Sequence, residues 1–370
     1  MKVAQALNRV LTLDLMRGYF LIVIFLNHLH YFPSGLEWIT GQSFLYTSTA
    51  EGFFLISGIV LGIVRGRKLL DKPFRFAATL LLKRSLQLYV TSIILVLIFT
   101  FIGWFFMQNP GLKFDIYEPV GDVWGLIWKT LTFQYIYGWA DYLRLYAIFI
   151  FFSPIALWLL RKGLWYVVLL VSVFIWSLYP FSPFPVGEYS QQFSWQLIFF
   201  SGFILGFLWD TLKAWWLKRS KAFTRIIMTT VISVSVFTLI ANSLIIFGQE
   251  LPGIGSTMHW LNDHLWRMFN KDELPLPRLV LTALWFTSLY WLFSRFERTI
   301  IRFAGWILLP FGTNSLYVYT LQAFLVFFTM LIFGPKGNDF WLINLVISVV
   351  GLGLIYAAIR TKFLMKIIPR

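Results

Sequence analysis

Arg17 and His28 stand eleven residues apart in one apolar run, LDLMRGYFLIVIFLNHLHYFP, from Leu13 to Pro33. On a helix, eleven steps of about 100° return to within roughly 20° of the starting direction and rise about 16 Å, half of a hydrocarbon core. The guanidinium and the imidazole then share one face, a cation near one membrane surface and a proton acceptor near the other. Asp14, three residues before Arg17, can share that face. Hydrocarbon penalises ionisable groups, so those kept within a span mark a functional site by default. The pair suits a reaction that crosses the bilayer, with His28 as a general base near neutral pH. The competing reading is an interface histidine bonded to a neighbouring helix.

Glu51 lies in the next apolar run, TAEGFFLISGIVLG, at the same height as His28 if the two spans are antiparallel. A buried carboxylate needs a partner. His28 is the expected one, with Glu51 fixing its tautomer and raising its basicity; a water-facing carboxylate is the alternative. Ser57, Gly58 and Gly62 have the small-residue spacing of close helix packing, and a nucleophilic Ser57 is the weaker reading. Arg17, Arg65, Arg67, Lys83 and Arg84 fall at one membrane surface and would suit a phosphate-rich ligand such as the nucleotide end of coenzyme A. No Walker or dinucleotide fingerprint occurs. At the other surface, Asp141, Arg144, Tyr146, Trp195, Gln196, Lys271 and Arg278 are candidates to line a sugar site, although interface anchoring explains the Trp equally well. His259 and His264 flank Asp263 in a loop, and ordinary loop residues explain them better than a metal site.

These residues must be positioned by membrane helices. The chain has 370 residues, is 59% hydrophobic and 20% aromatic, and has a mean hydropathy of +0.74. That composition belongs to a polytopic membrane protein, all-α because lipid tolerates no unpaired backbone. About ten spans are expected, near 13–31, 44–64, 86–106, 142–160, 164–179, 193–209, 225–247, 278–294, 313–333 and 340–359. Val120 to Tyr137 reads as an interfacial amphipathic helix. Of 31 Lys and Arg, 24 fall on one set of loops, which predicts cytoplasmic termini at both ends. The same bias explains the net charge of +15 without nucleic acid. The absence of cysteine excludes disulfides and a thiolate nucleophile. No repeat or soluble domain is visible, so residues 1–370 form one transmembrane domain in the lipid bilayer. The outer segment 248–277 is rich in turn residues and is placed to cover a substrate entrance.

Several segments are familiar in order. LDLMRGYFLIVIFLNHLH resembles the opening span of acyltransferase family 3, with its Arg, ten residues, His signature. AEGFFLISGIVLG and LLKRSLQLY resemble that family's second span and the basic entry to its third. DYLRLYAIFIFFSPIALWLL, FSWQLIFFSGFILG, FNKDELPLPRL and GTNSLYVYTLQAF are similar to the OpgC-type branch, which succinylates osmoregulated periplasmic glucans. The resemblance implies a bacterial cytoplasmic-membrane enzyme that takes a succinyl- or acetyl-class group from cytoplasmic acyl-CoA to an extracytoplasmic glycan hydroxyl. It implies no permanently bound cofactor. Arg17 and His28 match the signature pair, and Glu51 and Arg84 match secondary positions. Gln87 and Gln322 depart from the broader family, which often carries Arg and His there, so the acyl group stays open. The alternative function is a proton-coupled transporter or flippase of a glycan or lipid-linked precursor, with Asp14, Arg17, His28 and Glu51 as its relay.

Overall fold

A computed structural model describes residues 10–109, 112, 122–179, 191–335, 337 and 339–368. Lys2, Arg9, Lys113, Lys336 and Arg370, which enter the charge bias, lie outside the described residues. The described residues are helical, with no strand. The helices are α1 (Leu11–Leu29), α2 (Thr49–Leu61), α3 (Phe74–Phe105), α4 (Val123–Leu131), α5 (Asp141–Arg161), α6 (Trp165–Ser177), α7 (Gln191–Phe207), α8 (Trp209–Leu217), α9 (Lys221–Phe247), α10 (Gly255–Leu265), α11 (Leu276–Arg295), α12 (Glu297–Thr313), α13 (Ser315–Phe333) and α14 (Trp341–Thr361). Eight are long and apolar enough to cross a membrane, α2 with its continuation to Leu69. The pair α7 and α8, bent by 66°, makes a ninth such segment. Helix α6 has 13 residues and rises about 20 Å, short of a full hydrocarbon core. Large apolar side chains exposed around the rim, such as Phe151, Ile155, Phe237 and Val349, face outward as lipid-contacting residues do. The chain is a multi-pass, all-helical membrane protein.

Helix α1 is central. It packs against α2, α11, α12, α13 and α14, which places its Arg17 and His28 inside the protein rather than in lipid. Helix α2 lies along α7 through Gly58 and Gly62 on one side and Gly202 and Gly206 on the other. A methyl group at Gly206 would collide with the Ile59 carbonyl, so glycine sets the approach of the two backbones. Beyond Leu61, α2 widens into a π turn, Gly62–Gly66, that delivers Arg65.

Three elements differ from expectation, the first being the outer segment 248–277, where His259, Asp263 and His264 stand on α10 and not in a loop. Residues 295–312, expected as a loop, contain α12, which packs along the basic end of α1. Gly305, Leu308, Phe311 and Gly312 form its buried stripe, a helical period on a segment too charged to read as a span. The amphipathic stretch expected over Val120 to Tyr137 contains a shorter helix, α4, that buries Leu126 and Thr130 and exposes Trp124 and Trp128. Val120 and Gly121 lie outside the described residues.

Candidate functional site

The site is assembled from α1 outward. At its basic end Arg17 lies 3.7 Å from Asp14 Oδ1, and its Nη1 donates to the Gly312 carbonyl at 3.4 Å. That contact exists because α12 meets α1 through Gly18 and Gly312, where side chains would strike the Leu308 and Asp14 carbonyls. Arg84 of α3 comes alongside, close enough that Arg17 and Arg65 repel its charge. Its Nη1 donates to Gln87 Oε1 at 2.7 Å. Arg17 and Arg84 line one cavity, and Arg65 lies within electrostatic reach of Arg84. Arg67 is taken by an ion pair with Asp210, and Lys83 is exposed. Guanidiniums facing one cavity have the chemistry to receive an anion such as a phosphate.

A cavity of about 160 Å³ leads from Arg17 and Arg84 into the bundle, past Ser57 and Tyr319, to Tyr146 and Tyr142. The Tyr146 hydroxyl donates to Ser57 Oγ at 3.1 Å, so Ser57 is held by a phenol and has no base activating it there. Tyr142 forms part of the cavity wall. Its ring stands 6.4 Å from Tyr319 and 6.4 Å, nearly parallel, from His28. Trp139 flanks the imidazole on another side at 6.1 Å. His28 does not line the cavity itself but adjoins this ring, which does. It occupies the last turn of α1, where the helix carbonyls favour a cation. His30, the left-handed cap residue, turns instead to Phe32 and Phe44.

Glu51 is placed differently from expectation. Its Oε1 accepts from Arg278 Nε at 2.6 Å and forms an ion pair with Nη2, while Oε2 accepts from the Ser48 backbone N–H at 3.0 Å. The Glu51 and Arg278 side chains are 0% and 4% exposed. The expected His28–Glu51 pair is thus replaced by an Arg278–Glu51 pair: a guanidinium satisfies a dry carboxylate with both charge and two N–H donors, which a half-buried imidazole cannot match. Arg278 Nη1 also donates to the Phe269 carbonyl at 2.6 Å, tying the segment after α10 to the start of α2.

Trp195 and Gln196, expected among the sugar-lining groups, are interior. Trp195 is 1% exposed, wedged against Phe54 at 5.0 Å and Tyr142 at 5.8 Å, with no ring face open for a pyranose. Gln196 donates to the Ser172 carbonyl at 2.7 Å, joining α7 to α6. Arg278 is consumed by its ion pair. Lys271 does reach the site: its ammonium lies 5.8 Å from the Tyr142 ring centre, and the residue is exposed.

Sequence reasoning missed Tyr142, Tyr319 and the role of Gln322. Ser315, Tyr319 and Gln322 recur at helical spacing along one stripe of α13. Gln322 is 1% exposed, and neither amide atom has a hydrogen-bond partner among the described residues; the same holds for the indole N–H of Trp195. Each such orphan costs about 1–3 kcal/mol, and a native protein keeps few of them. The lone amide in the apolar run LYVYTLQAFLVFF was the available signal.

A family model described as OpgC protein matches residues 9–367, almost the whole chain. No curated protein and no solved structure matches it.

Proposed function

The chain belongs to the OpgC protein family, and from that membership we propose that it is an integral-membrane acyltransferase of the bacterial cytoplasmic membrane. It moves a succinyl- or acetyl-class group from cytoplasmic acyl-CoA to a hydroxyl of an extracytoplasmic glycan. The observation that carries this reading is the slot between α2, α3, α5 and α13, which has Arg17 and Arg84 in its wall together with Tyr142, the ring that adjoins His28. About 160 Å³ is below the ~300–1,000 Å³ of ordinary small-molecule pockets. It suits a slender pantetheine arm and not a nucleotide, which would stay at Arg17, Arg65 and Arg84 as a phosphate-bearing anchor.

In the proposed reaction His28 takes the proton from the acceptor hydroxyl. The oxygen attacks the thioester carbonyl, the carbon–sulfur bond breaks, and the departing thiolate takes the proton back from the imidazolium. The chain needs no nucleophile of its own, in keeping with the absence of cysteine. Glu51 and Arg278 brace the site rather than relay its proton. The reading is tested with the purified full chain in detergent, by following thiol release from succinyl-CoA and acetyl-CoA with and without glucan. Acceptor-dependent thiol release with a matching mass gain on the glucan is expected. An absence of release with both donors would overturn it.

A further inference from the structure

A second cleft lies apart from the slot and shares no lining residue with it. It has about 490 Å³, well within the size of a small-molecule site, and is walled by Phe44, Gln249, Asn262, Asp263, Trp266 and Arg267. Its rings are open: Phe44 is 43% and Trp266 51% exposed. Its polar walls are held in place. His259, between them, bonds Gln249 Oε1 through Nδ1 at 3.2 Å and faces Asp263 Oδ2 through Nε2 at 3.4 Å. The Tyr46 hydroxyl donates to Asn262 Oδ1 at 3.0 Å, leaving the amide nitrogen to donate. Tyr46 is itself fixed, stacked on Phe269 at 4.6 Å and bonded through its backbone N–H to Asn242.

We propose that this cleft is a remote acceptor subsite that binds a neutral saccharide unit, a pyranose face against Trp266 and its hydroxyls on Gln249, Asn262, Asp263 and Arg267. Flat open rings beside planar side chains that both donate and accept suit a ligand that is apolar on its face and hydroxylated around its edge. The lining carries one acid and one base, so it has no net charge to attract a phosphate headgroup.

Two connections join the cleft to the reacting end. Phe44, one wall, stands edge-on to His30 at 6.5 Å, and His30 is two residues from His28. Arg267, another wall, precedes Lys271 by four residues, at most about 14 Å of chain; Lys271 lies over Tyr142, the neighbour of His28. Both connections put the cleft on the His28 side of the molecule, so the proposed acceptor is an oligomer with one unit in the cleft and another at the reacting end.

This inference rests on the acyl-transfer reading for its acceptor, but binding is measured independently. The detergent-purified full chain is titrated calorimetrically with neutral glucose oligosaccharides of one to eight units in several linkages. Wild type, Trp266→Ala, Trp266→Tyr and Gln249→Ala are compared. Wild type should bind longer oligosaccharides better. Trp266→Ala should weaken the longer ones tenfold or more, Gln249→Ala should weaken them severalfold, and Trp266→Tyr should stay within about threefold. In the transfer assay Trp266→Ala should raise KM for the long acceptor at unchanged kcat. No oligosaccharide binding by wild type, or wild-type affinity in both Trp266→Ala and Gln249→Ala, overturns the subsite. Quenching of the cleft by brominated phospholipid, relieved in Trp266→Ala and not by sugar, would assign it to lipid instead and equally overturn it. If oligosaccharides bind as described but no donor releases thiol, the transfer reading falls and the subsite stands.

Discussion

Two histidines two residues apart separate cleanly in the structure. His28 adjoins Trp139 and Tyr142, the latter in the wall of the slot, whereas His30 turns to Phe32 and Phe44. His28→Ala should reduce acyl transfer about 10²- to 10⁴-fold, the usual worth of a general base. His30→Ala should retain transfer within severalfold. Rates in membranes with matched expression decide this, and full activity in His28→Ala would remove the proposed base. Glu51 calls for a different measurement. Because it is buried against Arg278, Glu51→Gln should cost about 3–5 kcal/mol of stability, the price of leaving one buried charge alone. The readout is thermal unfolding in detergent. A Glu51→Gln, Arg278→Met double variant should recover part of the loss, whereas a catalytic Glu51 would leave the melting temperature unmoved. Glu51 also closes the capping box of α2, its Oε2 accepting from the Ser48 N–H.

At the scale of elements, α12 decides the geometry of the donor end. It presses on α1 through Gly18 and Gly312, and the Gly312 carbonyl holds Arg17. Arg17→Ala should weaken acyl-CoA binding, and Gly312→Val, by pushing α12 off α1, should weaken it likewise, although no side chain at 312 touches the ligand. Binding of a fluorescent acyl-CoA to the purified variants would check it; unchanged affinity in Gly312→Val would show that Arg17 is positioned without α12. The long apolar runs were legible because hydrocarbon demands them; a helix stands in each, and eight of them, or nine with the bent pair, are long and apolar enough to cross where about ten were expected. Helix α12 was not, since a half-buried helix beside a membrane surface carries Glu297, Arg298 and Arg302 and scores as a loop on hydropathy. Its apolar period was the signal that identifies it.

For the whole molecule, the charge bias puts both termini in the cytoplasm only if α6 crosses. Reporter fusions at Gly163 and Arg219 should therefore read inside and a fusion at Gly253 outside. If α6 turns back without crossing, Arg219 and Gly253 exchange sides, and the cleft would face the cytoplasm, away from an extracytoplasmic glycan. The 13 residues of α6, flanked by Trp165 and Trp176, make it the segment on which this parity depends.

Composition and apolar runs determined the class of the protein and its membrane helices, and residue spacing set Arg17 and His28 on one face of α1, because bilayer thickness and helix pitch act on one chain segment at a time. Small-residue spacing likewise announced the contact made by α2. Partner choice was decided only by the tertiary structure. Glu51 found Arg278, 227 residues away, and not His28. Trp195 went into the core, and Trp266 stayed open beside Asn262. Sequence spacing ranks neighbours on one helix, whereas the pairing of buried charges and the exposure of a ring depend on which helices meet and at what height.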